Sequence, residues 1–157
     1  MTSFLVPFLL IVLNLNPNTA MRSINQFNLP KTWNKELTIS YSFSGSMDGS
    51  RTQIIFTYDS CKYTIQPGMK APKTGAFAMT EAGRAEILKK MQELKVNKIK
   101  SDMSIGAVDD GWSESLLIGS HWIEGGTSAK MNDKDKETFS TACVYLQDFV
   151  AKKGKHR

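Results

Sequence analysis

At 157 residues, with 41% apolar and 22% charged residues, the chain has the composition of one folded domain, which excludes wholesale disorder and a second independent core. Its net charge of +5 points to an acidic partner only until the charges are placed: Lys152, Lys153, Lys155 and Arg157 are four of 20 basic residues, and without them 16 basic face 15 acidic residues. The body is nearly neutral, residues 153–157 form a basic tail, and no basic face interleaved with aromatics accompanies it, so nucleic acid is not an expected partner.

Residues 1–20 read as a signal peptide or apolar leader. The run at 4–13, FLVPFLLIVL, is too short for a membrane span and is followed by the polar NLNPNTAMRS. No Lys or Arg precedes it, and Asn18 stands where a small residue is preferred for cleavage after Ala20. The expectation is export, to a periplasmic, envelope-associated or secreted location, with no stable membrane span in the mature form. A retained anchor or a misassigned start is the alternative. No cysteine follows the run, so a lipid-anchored lipoprotein is not indicated.

Residues 21–35 lack a period, carry Pro30 and read as a linker or irregular arm ahead of a domain over 36–152. In LTISYSF, at 37–43, Leu37, Ile39, Tyr41 and Phe43 alternate with polar residues, which predicts a half-buried strand. SGSMDGS at 44–50 predicts a turn, with Gly45, Asp48 and Gly49 as the residues a strand connection requires. TQIIFTY at 52–58 is the second strand, Asp59-Ser60 a tight turn, and CKYTI at 61–65 the third strand. PGMKAPKTG at 67–75 reads as a loop, with Phe77 and Met79 a short extended lead into a helix capped by Thr80. Ile87, Leu88, Met91 and Leu94 form that helix's apolar stripe, and Gly83 in its first turn costs about 1 kcal/mol relative to Ala.

Residues 101–111 read as a second loop and WSESLLI at 112–118 as a strand that extends or bends at Gly119. Residues 124–126 predict a turn into a shorter strand around 127–131. The last helix, at 136–153, buries Phe139, Ala142, Cys143, Leu146, Phe149 and Val150 at three- and four-residue spacing. The expected architecture is α+β: an antiparallel sheet of four to five strands with two helices packed on one face, in the order βββ-α-β(β)-α.

Cys61 and Cys143 are the only cysteines and both fall on inward-facing positions. In an oxidising compartment one bridge between them would contribute on the order of 3–5 kcal/mol. Two buried free thiols are the alternative.

Little in the chain speaks for catalysis. Its two histidines are His121, beside Trp122, and His156 in the tail, and no G-x-S-x-G elbow is present. Paired zinc-ligand spacing is missing, and neither Asp109, Asp110 and Glu114 nor the Asn132–Asp135 cluster matches a calcium loop. SMDGSR lacks the glycine pattern of a phosphate loop. The expectation is therefore a non-enzymatic protein with no cofactor and no metal. Trp112, at a strand entrance beside Gly111 and two aspartates, either anchors a partner or covers one end of the core.

The strand LTISYSFSGSM at 37–47, the helix TEAGRAEILKKM at 80–91, DGWSESLLI at 110–118 and the final amphipathic helix together resemble small exported bacterial proteins. Those are similar to emfourin-type proteins, small inhibitors of thermolysin-like metallopeptidases. The resemblance covers roughly residues 37–151. A Ser-Gly-Gly turn follows the first strand in that pattern; here Ser44 and Gly45 match and Ser46 replaces the second glycine. It implies a protein partner, a metallopeptidase, blocked by loops at 44–50 and 105–114. By position in those loops the binding residues are Ser44, Gly45, Met47, Asp48, Asp110, Trp112 and Glu114. The alternative is an envelope or extracellular module binding a protein, peptide or glycan along a strand edge or rim.

Overall fold

The computed structural model describes residues 27–45, 47–102, 111–127 and 129–154. The strands are β1 (Ile39–Gly45), β2 (Arg51–Phe56), β3 (Ser60–Gln66), β4 (Lys73–Ala78), β5 (Trp112–Ile118) and β6 (His121–Gly126), and the helices are α1 (Glu81–Leu94) and α2 (Asp133–Gly154). The sheet runs β4-β3-β2-β1-β5-β6 with every neighbouring pair antiparallel. The α+β class and antiparallel sheet agree with the sequence reading, but there are six strands where four to five are expected.

Two differences account for this. β4 occupies part of the stretch read as a loop and short lead: LysThrGlyAlaPheAla has weak strand propensity, yet pairing with β3 satisfies backbone groups that β3 would otherwise leave at a sheet edge. Gly75 stands opposite Tyr63, and a Cβ there would collide with the Tyr63 phenol. The second difference is β6, which ends at Gly126 rather than following a turn there. Among the described residues of 127–131 the pairing is an isolated bridge from Lys130 to Asp102 rather than a strand. The bend does fall at Gly119, whose φ of +60° opens a two-residue connection between Ile118 and His121.

The pleat separates two faces. On one, Ile39, Tyr41, Ile54, Phe56, Leu116 and Ile118 are buried. On the other, Ser42 and Ser115 share a hydroxyl–hydroxyl hydrogen bond of 2.8 Å. α2 covers the first face by crossing the strands one after another. Phe139 lies on Gly125 of β6, Gln147 reaches Tyr41 of β1, Phe149 packs edge-on to Phe56 of β2 at 5.8 Å, and Gly154 ends beside Tyr63 of β3. All six residues of its expected stripe are buried. Asn132 caps it, accepting the Asp135 amide at 2.9 Å.

α1 begins as expected, with the Thr80 hydroxyl accepting from Gly83 N at 3.1 Å. Gly83 is buried, and the space where its Cβ would stand is bounded by Phe149 and Thr80, so a helix-weakening residue permits close helix–helix approach. Residues 27–37 have no strand or helix but are docked. Trp33 is buried and donates to Leu37 O at 2.9 Å, Gln92 holds Pro30 O, and Asn97 holds Phe27 O.

Cys61 and Cys143 are both buried and both free, which corrects the bridge expectation. Their inward orientation was read correctly, but the two sit over different strands. Cys61 belongs to β3, whereas the Cys143 thiol bonds to Glu114 of β5, with β2 and β1 between. Three strand spacings are roughly 14 Å, far beyond the ~4 Å Cβ separation of a disulfide.

Candidate functional site at one end of the sheet

β1 ends and β5 begins at the same end of the sheet, so pairing alone assembles several of the expected binding residues. Gly45 pairs with Trp112, Ser44 with Ser113, and Phe43 with Glu114. The β1–β2 connection lies beyond this edge. Asp48 accepts from the Ser50 amide at 2.8 Å and from the Ser50 hydroxyl at 2.6 Å, and these bonds hold its carboxyl below the usual carboxylate range. Ser50 also accepts from Gly68 N at 2.9 Å, tying this connection to the β3–β4 turn. Each connection raises one methionine into solvent: Met47 is 88% exposed and Met69 89%. Asp48 thus shapes the loop, whereas Met47 is presented by it.

Trp112 stands at the same end, 41% exposed, its ring 6.0 Å from that of Phe43. Its backbone is clamped by Thr127, whose hydroxyl accepts from Trp112 N at 3.0 Å and donates to Trp112 O at 3.1 Å. The aromatic therefore projects from a fixed strand rather than a loose loop.

Glu114 lies inward of Trp112, half-buried between β1 and α2. The Tyr41 hydroxyl donates to its Oε1 at 2.8 Å, the Cys143 thiol bonds to its carboxylate, and Gln147 Nε2 donates to the Tyr41 oxygen at 3.1 Å. Burial raises the Glu114 carboxyl against the opposing effect of the two donors. Burial, followed by the nearby carboxylate, raises Cys143 and Tyr41 far above their ordinary values, so both remain protonated donors. The Cys61 thiol is pushed up to about 12 by burial. Neither thiol has the electropositive setting of a nucleophile.

Two clefts flank Glu114 and Trp112. One, of about 500 Å³, is lined by Tyr41, Phe43, Trp112, Glu114 and Gln147. The other, of about 400 Å³, continues past Gly125, Gly126 and Phe139 to Lys136. Asp109, Asp110 and most of the 105–114 loop lie outside the described residues, as does His156. His121 is at the opposite end of the sheet, stacked on Phe27 at 5.2 Å, and burial lowers its basicity. Among the described residues no three His, Cys, Asp or Glu side chains form a metal-binding group, and no helix is long and apolar enough to cross a membrane.

Sequence reasoning placed Trp112 and Glu114 here but missed Tyr41, Gln147 and Met69. Tyr41 was legible only as a core residue of an alternating strand. Gln147, one turn after Cys143, is a polar, half-buried position at the edge of the helix stripe and was the available signal. No protein-family model matches the chain, and no curated protein matches it.

Proposed function

We propose that this is a small exported, non-enzymatic binding protein that engages a protein partner through the Met47–Met69–Trp112 end of its sheet, as a peptidase inhibitor does. The observation that carries this reading is the exposure of those three large apolar side chains, Met47 and Met69 on connections tied by Asp48 and Ser50 and Trp112 on a strand clamped by Thr127. The unbranched methionines can adapt to a partner surface, and Trp112, with two side-chain torsions on a clamped strand, supplies an aromatic anchor of the kind that carries a large share of binding energy at interfaces. The resemblance of the 37–47 and 110–118 stretches to emfourin-type proteins names the class of partner to test.

A thermolysin-like peptidase titrated with the protein is expected to lose activity in proportion to the inhibitor added. Full activity with the protein in molar excess removes that peptidase as the target. Replacing Met47, Met69 and Trp112 together by serine is expected to weaken inhibition at least about tenfold with unfolding unchanged, since the side chains are exposed. Capture of a partner that is not a peptidase, lost in the same variant, favours the alternative envelope or extracellular module.

A further inference from the structure

The cleft beside Glu114 has a composition that the binding reading alone does not require. Its walls are three aromatic rings, Tyr41, Phe43 and Trp112, and its polar groups are the Glu114 carboxylate and the Gln147 amide. Among the described residues no Lys or Arg lines it. Lys89 pairs with Glu93 on α1, and among the described residues neither Lys130 nor Lys136 of the adjoining cleft forms an ion pair with Glu114. A carboxylate offers about four acceptor directions, and here the donors are Tyr41 and Cys143. A half-buried acid among aromatic faces, with acceptor capacity left over, is complementary to a cation, which the rings attract through their quadrupoles and the carboxylate by charge. The volume of about 500 Å³ is ample for one extended side chain.

We propose that this cleft receives one basic side chain, lysine or arginine, of the protein partner, seated against Trp112 and Phe43 with its charged head at Glu114. The identity of the occupant rests on the binding reading above; the cleft's preference for a cation does not. The apolar rim of Met47, Met69 and Trp112 then supplies contact area, and Glu114 selects which residue of the partner stands at its centre.

The test is an NMR titration of the isotope-labelled full chain, following the Trp112 indole, with Nα-acetyl-lysine methylamide and Nα-acetyl-arginine methylamide. The norleucine counterpart, which keeps the stem and removes the charge, is the control. Saturable shifts with a basic probe are expected, weakened at least about tenfold for norleucine and in Glu114→Gln, which keeps an acceptor for Tyr41. Trp112→Ala, at an exposed position and followed through the Glu114 backbone amide instead, should weaken binding in an otherwise unchanged fold. Equal shifts from norleucine, undiminished binding by Glu114→Gln, or no saturation with either basic probe overturns the proposal. So does a tenfold preference for tetramethylammonium, which would mark a small quaternary amine as the occupant. A failed titration leaves the peptidase assay of the rim variant to decide the broader reading separately.

Discussion

Glu114 sits on the strand that begins at Trp112, with its side chain turned under α2 between Tyr41 and Cys143. Burial raises its carboxyl, so the native state holds the proton more tightly than the unfolded chain does. The stability this contributes is fully present below the unfolded value and is lost as pH rises through the folded one. Glu114→Gln retains a carbonyl acceptor for Tyr41 and removes that loss. The variant is therefore expected to gain stability over the parent as pH rises above the ordinary carboxylate range, read from urea midpoints below and above that range. Parallel pH profiles for the two proteins would show that the carboxyl is hydrated as freely as in the unfolded chain. At this scale the sequence was partly readable. Glu114 and Trp112 could be nominated from a polar strand entrance, whereas Tyr41 and Gln147 join them only because β1 and α2 are folded against β5.

Among the elements, α2 carries the most legible pattern, and it is also the one on which the architecture depends. Its stripe spans strands from β6 to β3, and Phe149 alone touches the rings of Phe56, Phe77 and Tyr145 and bounds the space beside Gly83. Phe149→Ala is expected to cost about 3–5 kcal/mol by opening a cavity between both helices and the sheet. A chemical-denaturation loss under about 1 kcal/mol would mean that the layer collapses around the gap. β4 is the opposite case. Its six residues carry little strand preference of their own and one glycine, and they become a strand because β3 offers a complete set of backbone partners. Local propensity was the losing term there, as it was over 127–131, where an expected strand gives way to a single bridge.

Over the molecule as a whole, the two ends of the sheet are built differently. At the Trp112 end Met47, Met69 and Trp112 face solvent, whereas at the His121 end residues 27–37 close over the β5–β6 connection and leave Trp122 exposed beside it. His121 stacks on Phe27 with a ring tilt of 5°, and among the described residues its Nε2 is buried without a hydrogen-bond partner. Burial depresses its basicity, so the stability it contributes is complete above the unfolded value near 6.5 and is lost as pH falls through the folded one. The arm is accordingly expected to loosen in acid. Hydrogen exchange of amides 27–37, corrected for its intrinsic pH dependence, should accelerate below pH ~6.5. His121→Phe, which preserves the stack, should abolish the change; the same acceleration in the variant would place the acid-sensitive group elsewhere.

By itself the sequence determined the α+β class, three meander strands, both helices, the Thr80 cap of α1 and the buried stripe of α2, because each of these follows from side-chain period and capping chemistry within a short stretch. Only the tertiary structure decided that a sixth strand exists, that the two thiols lie over different strands, and that Tyr41, Glu114, Cys143 and Gln147 form one network. Those outcomes depend on which strands become neighbours and on the line α2 takes across them, and such long-range pairing leaves no periodic mark in any one segment.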